Sequence, residues 1–245
     1  MKPTPRYLNL LYDLGFHHVF SRPENKPFLF DFVNAVLADS QELAEIEFMP
    51  MKFEGMPERQ RLSIVNFRCK NTAGEVFLVE IHCLPEENFF DRCAFHLTYL
   101  LRKLGWMPLF SEQDGPAVYV VGLMGFPFLV EREAVGAQAG NLSGAADDEE
   151  EHVHPSDRLI FQFQDVHHPD KSYDRANIIM LNTPSFHKGL TALQTPYDHW
   201  VYLLKHLHTM EEVPQVWRGT LFETFMDRAQ LSKLTQPDRE AYFQG

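Results

Sequence analysis

A chain of 245 residues that is 44% hydrophobic can bury one large core, and its net charge of −12 argues against a surface that is basic all over. The acidity is local: residues 106–157 hold one Lys or Arg against ten Asp and Glu, so the rest is nearly neutral and charge alone does not exclude a nucleic-acid substrate. No apolar window reaches the roughly 20 residues of a membrane span, the first residues lack a secretory-signal pattern, and three cysteines without paired ligand spacing fit a reducing cytoplasm.

Along the chain, Leu10, Leu11, Phe16, Val19 and Phe20 approximate one helical stripe. A break at 21–26 leads to Pro27, which opens a second helix through Leu37. Residues 46–49 form a short strand candidate, followed by two arms at 61–69 and 76–83 around an Asn-Thr-Ala-Gly turn, a hairpin by composition. Phe89, Cys93, His96, Leu97, Leu100 and Leu104 recur at helical spacing, predicting a helix over 88–104 packed on the sheet. The run 117–124 has the composition of a buried strand, and 160–163 and 177–181 are shorter strands. Between them, 136–157 is rich in Gly, Ala and acids and reads as an exposed or disordered loop. Two amphipathic helices, 197–208 and 217–230, follow. This order predicts an α/β fold, a mixed central sheet flanked by helices, in a single domain over 1–242. The ending EAYFQG looks partly like a protease-site scar left by expression, and 243–245 are set aside.

The hairpin carries the chemistry. Glu80 and His82 stand two apart in the second arm, so their side chains leave one strand face about 6.6 Å apart, and the first arm can bring Asn66 beside them. A carboxylate, an oxygen donor and a nitrogen base on adjacent strands is an arrangement suited to metal-assisted hydrolysis. Arg59, Arg61, Arg68 and Lys70 cluster around the first arm and offer a backbone contact, although a solvated strand face is the plainer reading.

VNFRCKNTAGEVFLVEIH resembles the core of the PD-(D/E)XK nuclease superfamily, in its transposase-associated, recombination-promoting branch, which typically reads Asp-x-x-x-Cys-x-x-x-x-Gly-Glu-x-Phe-x-Val-Glu-x-Gln here. The similarity extends to DLGFHHVFSRPENKPFLFDFVNAVL, FFDRCAFHLTYLL and IIMLNTPSFHKG, and so covers most of the chain. It implies a restriction-endonuclease-like core with C-terminal helices and a DNA endonuclease that uses Mg²⁺ or Mn²⁺. On that pattern Glu80 is a metal ligand, Asn66 stands for the expected Asp as a weaker ligand, and His82 replaces the Gln or Lys that assists the attacking water. His17 stands where the first helix usually has Lys, and Asp13 and Glu24 are the nearest acids able to compensate for Asn66. The alternative is an inactive relative, kept as a nucleic-acid-binding or protein-interaction module and paired with an intact paralogue or a second copy. His82 titrates near neutrality and is a natural base, or a ligand for a softer ion such as Zn²⁺.

Other readings compete. Asn66, Glu80 and His82 can be ordinary strand residues, with Glu80 kept polar by solvent or by Arg92. The pairs His17-His18, His152-x-His154, His167-His168 and His206-x-His208 do not match structural zinc spacing. Cys93 lies on an apolar stripe, Cys83 points away from His82 in a regular strand, and no glycine-rich phosphate loop is present. The nuclease reading requires Asn66, Glu80 and His82 to converge on a solvent-accessible concavity.

Overall fold

Apolar stripes at the helical period define the first two elements of the computed structural model, which describes residues 5–38, 41–49, 64–83, 88–104, 116–130, 152–153, 156–168 and 170–244. Helix α1 spans Asp13–Phe20 and α2 spans Lys26–Leu37. Phe16, Val19 and Phe20 of α1 and Phe28, Leu29, Phe32, Val33 and Val36 of α2 are buried, at spacings of one to four residues that hold each set on one face. Pro23–Asn25 forms a 3₁₀ turn between the helices, and a proline in the first turn of α2 gives up only an N–H that has no partner within the helix.

The strands β1 (Leu43–Phe48), β2 (Ile64–Asn71), β3 (Val76–His82), β4 (Ala117–Met124), β7 (Arg158–Gln164) and β8 (Ser172–Asn182) form one six-stranded sheet in the order β1-β2-β3-β4-β8-β7. β3, β4 and β8 run parallel, while β1/β2, β2/β3 and β7/β8 are antiparallel pairs. The sheet is therefore mixed, as the sequence predicts. The β2–β3 turn is held by Asn71, whose Oδ1 accepts from Glu75 N at 2.8 Å, and by Gly74 at φ +87°, a conformation costly for any residue with a Cβ. Helix α3 (Phe89–Leu104) makes the crossover from β3 to the parallel β4.

The central strands are apolar on both faces, which separates two cores. Phe77, Val79 and Ile81 of β3 join α1, α2 and the C-terminal helices, whereas Leu78 faces the stripe Phe89, Cys93, Leu97 and Leu100 of α3 together with Val118, Val120, Ile178 and Met180. Glu80 and His82 alternate with Val79 and Ile81, so they share Leu78's face, the one α3 covers. After the sheet come α4 (Pro196–His206), α5 (Leu221–Arg228) and α6 (Gln236–Gln244). A reciprocal Thr195–Asp198 capping box starts α4, and Trp200 donates from Nε1 to Asp31 Oδ2 of α2 at 2.7 Å. Leu8 N donates to Ala229 O at 2.9 Å and Asn9 N to Tyr242 Oη at 2.7 Å, tying the segment before α1 to the last two helices.

Several boundaries move. β7 and β8 outrun the expected 160–163 and 177–181 because their far ends are exposed and polar, without an apolar pattern to mark them. The helix expected over 217–230 starts at Leu221: Gly219 at φ +74° and the N-cap Thr220 break it, and Gln215–Trp217 is a separate 3₁₀ turn. Most of the acidic stretch 136–157 lies outside the described residues. At its end, however, His152–Val153 (β6) pairs with Leu129–Val130 (β5), and Asp157 O accepts from Asn182 N at 2.9 Å and Tyr197 Oη at 3.2 Å. That end is built into the fold. Phe243 and Gln244, set aside as a scar, continue α6.

Candidate metal centre

In the β2–β3 ladder Asn66 lies directly opposite Glu80, and Ile64 opposite His82. Directly opposed residues share a sheet face, so Asn66, Glu80 and His82 project together. The fourth member comes from α3: His96 Nδ1 lies 2.9 Å from Glu80 Oε1, the same oxygen that is hydrogen-bonded to His82 Nε2. The two imidazole rings meet edge to face with centroids 4.4 Å apart. Among the described residues, Glu80, His82 and His96 form the one group of three His, Cys, Asp or Glu whose ligand atoms all lie within 4.8 Å of one another.

The group is closed. Glu80 and His82 are 0% exposed, His96 1% and Asn66 8%. The expected solvent-accessible concavity is therefore not what the fold builds, because the apolar stripe of α3 packs on Leu78, Val118 and Val120 and lays His96 across the carboxylate. Nor is Glu80 kept polar by solvent; its partners are imidazoles. Burial raises the Glu80 carboxyl, but His82 and His96 outweigh it and hold the group below its ordinary value. Burial pushes His82 down in spite of the neighbouring carboxylate, so the ring is neutral at pH 7. Asn66 Oδ1, Glu80 Oε2 and His82 Nδ1 are buried without a hydrogen-bond partner among the described residues. An unmatched buried polar atom costs about 1–3 kcal/mol, and three at one spot mark a place built for something more than apolar packing.

The remaining candidates fall elsewhere. Glu24 is exposed and faces Arg22 at 3.9 Å, and Asp13 opens α1 with its side chain outside the described residues. Arg68 and Lys70 face Glu47 and Glu45 across the β1–β2 ladder at 3.4 and 3.9 Å, which supports the solvated-face reading; Arg59 and Arg61 lie outside the described residues. Burial raises the thiols of Cys69 and Cys93 to about 12, which removes them as nucleophiles. His96 escaped the sequence reading because its helical spacing places it in an apolar stripe. The available signal was a lone imidazole in that stripe, on the helix immediately following the Glu80 strand.

A six-stranded mixed sheet flanked by helices, with a hairpin presenting an amide, a carboxylate and an imidazole on one face, defines a restriction-endonuclease-like α/β protein. Residues 10–150 match the family described as PD-(D/E)XK nuclease family transposase, and the chain belongs to that family. Neither a curated protein nor a solved structure matches the chain.

This family usually binds a divalent metal, and the donors here can be tested against one. Mg²⁺ prefers near-octahedral oxygen donors and retains waters, whereas this closed group offers one carboxylate, one neutral amide oxygen and two imidazoles. The set fits Mg²⁺ poorly, and Mn²⁺, which also favours oxygen, little better.

Proposed function

We propose that the protein is a divergent, weakened DNA endonuclease of the PD-(D/E)XK transposase family, with its site at Asn66, Glu80 and His82. The observation that carries this reading is the ladder register that sets Asn66 opposite Glu80, with His82 on the same face, within the stretch whose sequence resembles the family's motif. A divalent cation bound there would lower the pKa of a water and neutralise charge on the scissile phosphate. Among the chain's own groups, Glu80 supplies the anionic oxygen and Asn66 a neutral one. His82, held neutral by burial, has a lone pair to accept a proton. The hydrogen bond from His82 to Glu80 and the cover of α3 both oppose turnover, which is why the activity is expected to be weak.

Burial of Glu80 and His82 also favours a second reading, a noncatalytic relative that binds nucleic acid or protein, alone, as a homo-oligomer or with an intact paralogue. Plasmid cleavage in Mg²⁺, Mn²⁺ or Zn²⁺ separates the two. Asn66→Asp with His82→Gln restores an anionic ligand and the family's usual amide, and should raise cleavage at least about tenfold, equivalent to ~1.4 kcal/mol of barrier. Glu80→Ala should abolish it. If neither parent nor double variant cuts any DNA form under any of these metals, the binding-module reading replaces the nuclease.

A further inference from the structure

We infer that Glu80, His82, His96 and Asn66 form a closed, four-donor site for a borderline transition ion, Zn²⁺ by preference, with His96 of α3 as a ligand. The inference concerns the pocket of the proposed nuclease and rests on that reading's assignment of Glu80 as a metal ligand, although not on catalysis. Imidazole nitrogens with one carboxylate favour Zn²⁺ over Mg²⁺, and two imidazoles with one carboxylate are a donor set that zinc takes, here buried and with the Asn66 amide oxygen in the fourth place. Two ligands on one ion at bond lengths of roughly 2.0–2.2 Å stand about 3–3.5 Å apart, and His96 Nδ1 already lies 2.9 Å from Glu80 Oε1. Asn66 Oδ1 and Glu80 Oε2, buried without partners among the described residues, are the oxygens such an ion would satisfy.

The position of each donor follows from the fold. Glu80 and His82 are set by the two-residue period of β3, Asn66 by its place opposite Glu80, and His96 by the packing of Cys93 and Leu97 on either side of it in sequence. The hydrogen bond between His82 Nε2 and Glu80 Oε1 holds one proton between these two atoms. Ligation through Nε2 requires that proton to move to Nδ1, with no net change of charge. Apo protein is thus held together by the same atoms that grip the ion, with a proton in the ion's place.

The test is Zn²⁺ binding by the full-length, chelator-treated protein, measured by competition with a chromophoric chelator. The expected result is one tight Zn²⁺ per chain that millimolar Mg²⁺ does not displace, with a Tm raised by several degrees. His82→Gln and His96→Gln should each weaken binding at least about 100-fold, the upper range for removing even a residue that only supports a ligand. Should either variant misfold, X-ray absorption on the Zn²⁺-loaded parent gives the answer directly: two imidazoles in the first shell agree, and one or none refutes. No Zn²⁺ bound, ready displacement by Mg²⁺, or affinity unchanged in both variants would also overturn the inference. The two readings fail separately. A protein that binds Zn²⁺ yet never cuts DNA keeps this site and loses the nuclease, and one that cuts with Mg²⁺ while binding no Zn²⁺ does the reverse.

Discussion

Glu80 is a carboxylate at 0% exposure, and what keeps it ionised is the pair of imidazoles that close on one of its oxygens. Removing the charged acceptor of buried hydrogen-bond donors leaves them poorly matched, at a cost of about 1–3 kcal/mol. Glu80→Gln, almost isosteric, should therefore lower the unfolding free energy by about 1–3 kcal/mol, read as a lower denaturant midpoint at an unchanged slope; an unchanged midpoint would show that the imidazoles do not depend on the charge. Asn66, Glu80 and His82 were legible in the sequence because a strand's period is exact enough to place i and i+2 together, and a hairpin turn fixes what stands opposite. His96 was not. Its partner lies across a helix–sheet interface, and a three-to-four-residue stripe records which helix face is buried without recording what that face meets.

The helix that covers the site owes its seat to a missing side chain. Gly122 of β4 lies beside His82 in the parallel ladder, and a Cβ there would come within 2.7 Å of Phe89 Cε1 and 2.8 Å of Met180 Sδ. Gly122→Ala should overpack this interface and cost about 1–3 kcal/mol in thermal or denaturant unfolding, with Phe89 displaced; a neutral effect would mean that α3 tolerates a wider seat. Elements with a continuous buried run or stripe, such as β4 and α2, were readable nearly residue by residue. Those at the margin were not: the exposed ends of β7 and β8 and the polar helix α6 have no apolar period, and tertiary contacts such as the Tyr242 hydrogen bond to Asn9 supply what local sequence does not.

Across the described residues, burial shifts five histidines in one direction. His82, His18, His199, His206 and His208 are all held below their ordinary value of 6.5. Below that pH the unfolded chain therefore binds more protons than the folded one, and stability falls as the solution is acidified. Glu80 and Asp198, both held below their ordinary carboxyl values, are stabilising above the unfolded pKa and add a second loss at lower pH. Asp157, raised by burial, opposes this in part. Melting temperature measured from pH 8 to pH 4 should drop from about pH 6.5 downward, more shallowly in His82→Gln through the upper part of that range; a profile flat or rising toward acid would contradict the neutral state of the buried rings.

The bond between Asn9 and Tyr242 joins residues 233 positions apart. On the ribosome, at about 5–20 residues per second, the segment before α1 emerges roughly 10–50 s ahead of the residues it pairs with. The stretch 10–150 is likewise synthesised before β8 arrives to complete the ladder of β4, whose edge stays open meanwhile. The nascent chain thus carries an apolar, unpaired strand edge from the end of β4 until β8 is made, and its yield in a cell should depend on whatever shields that edge in the interval.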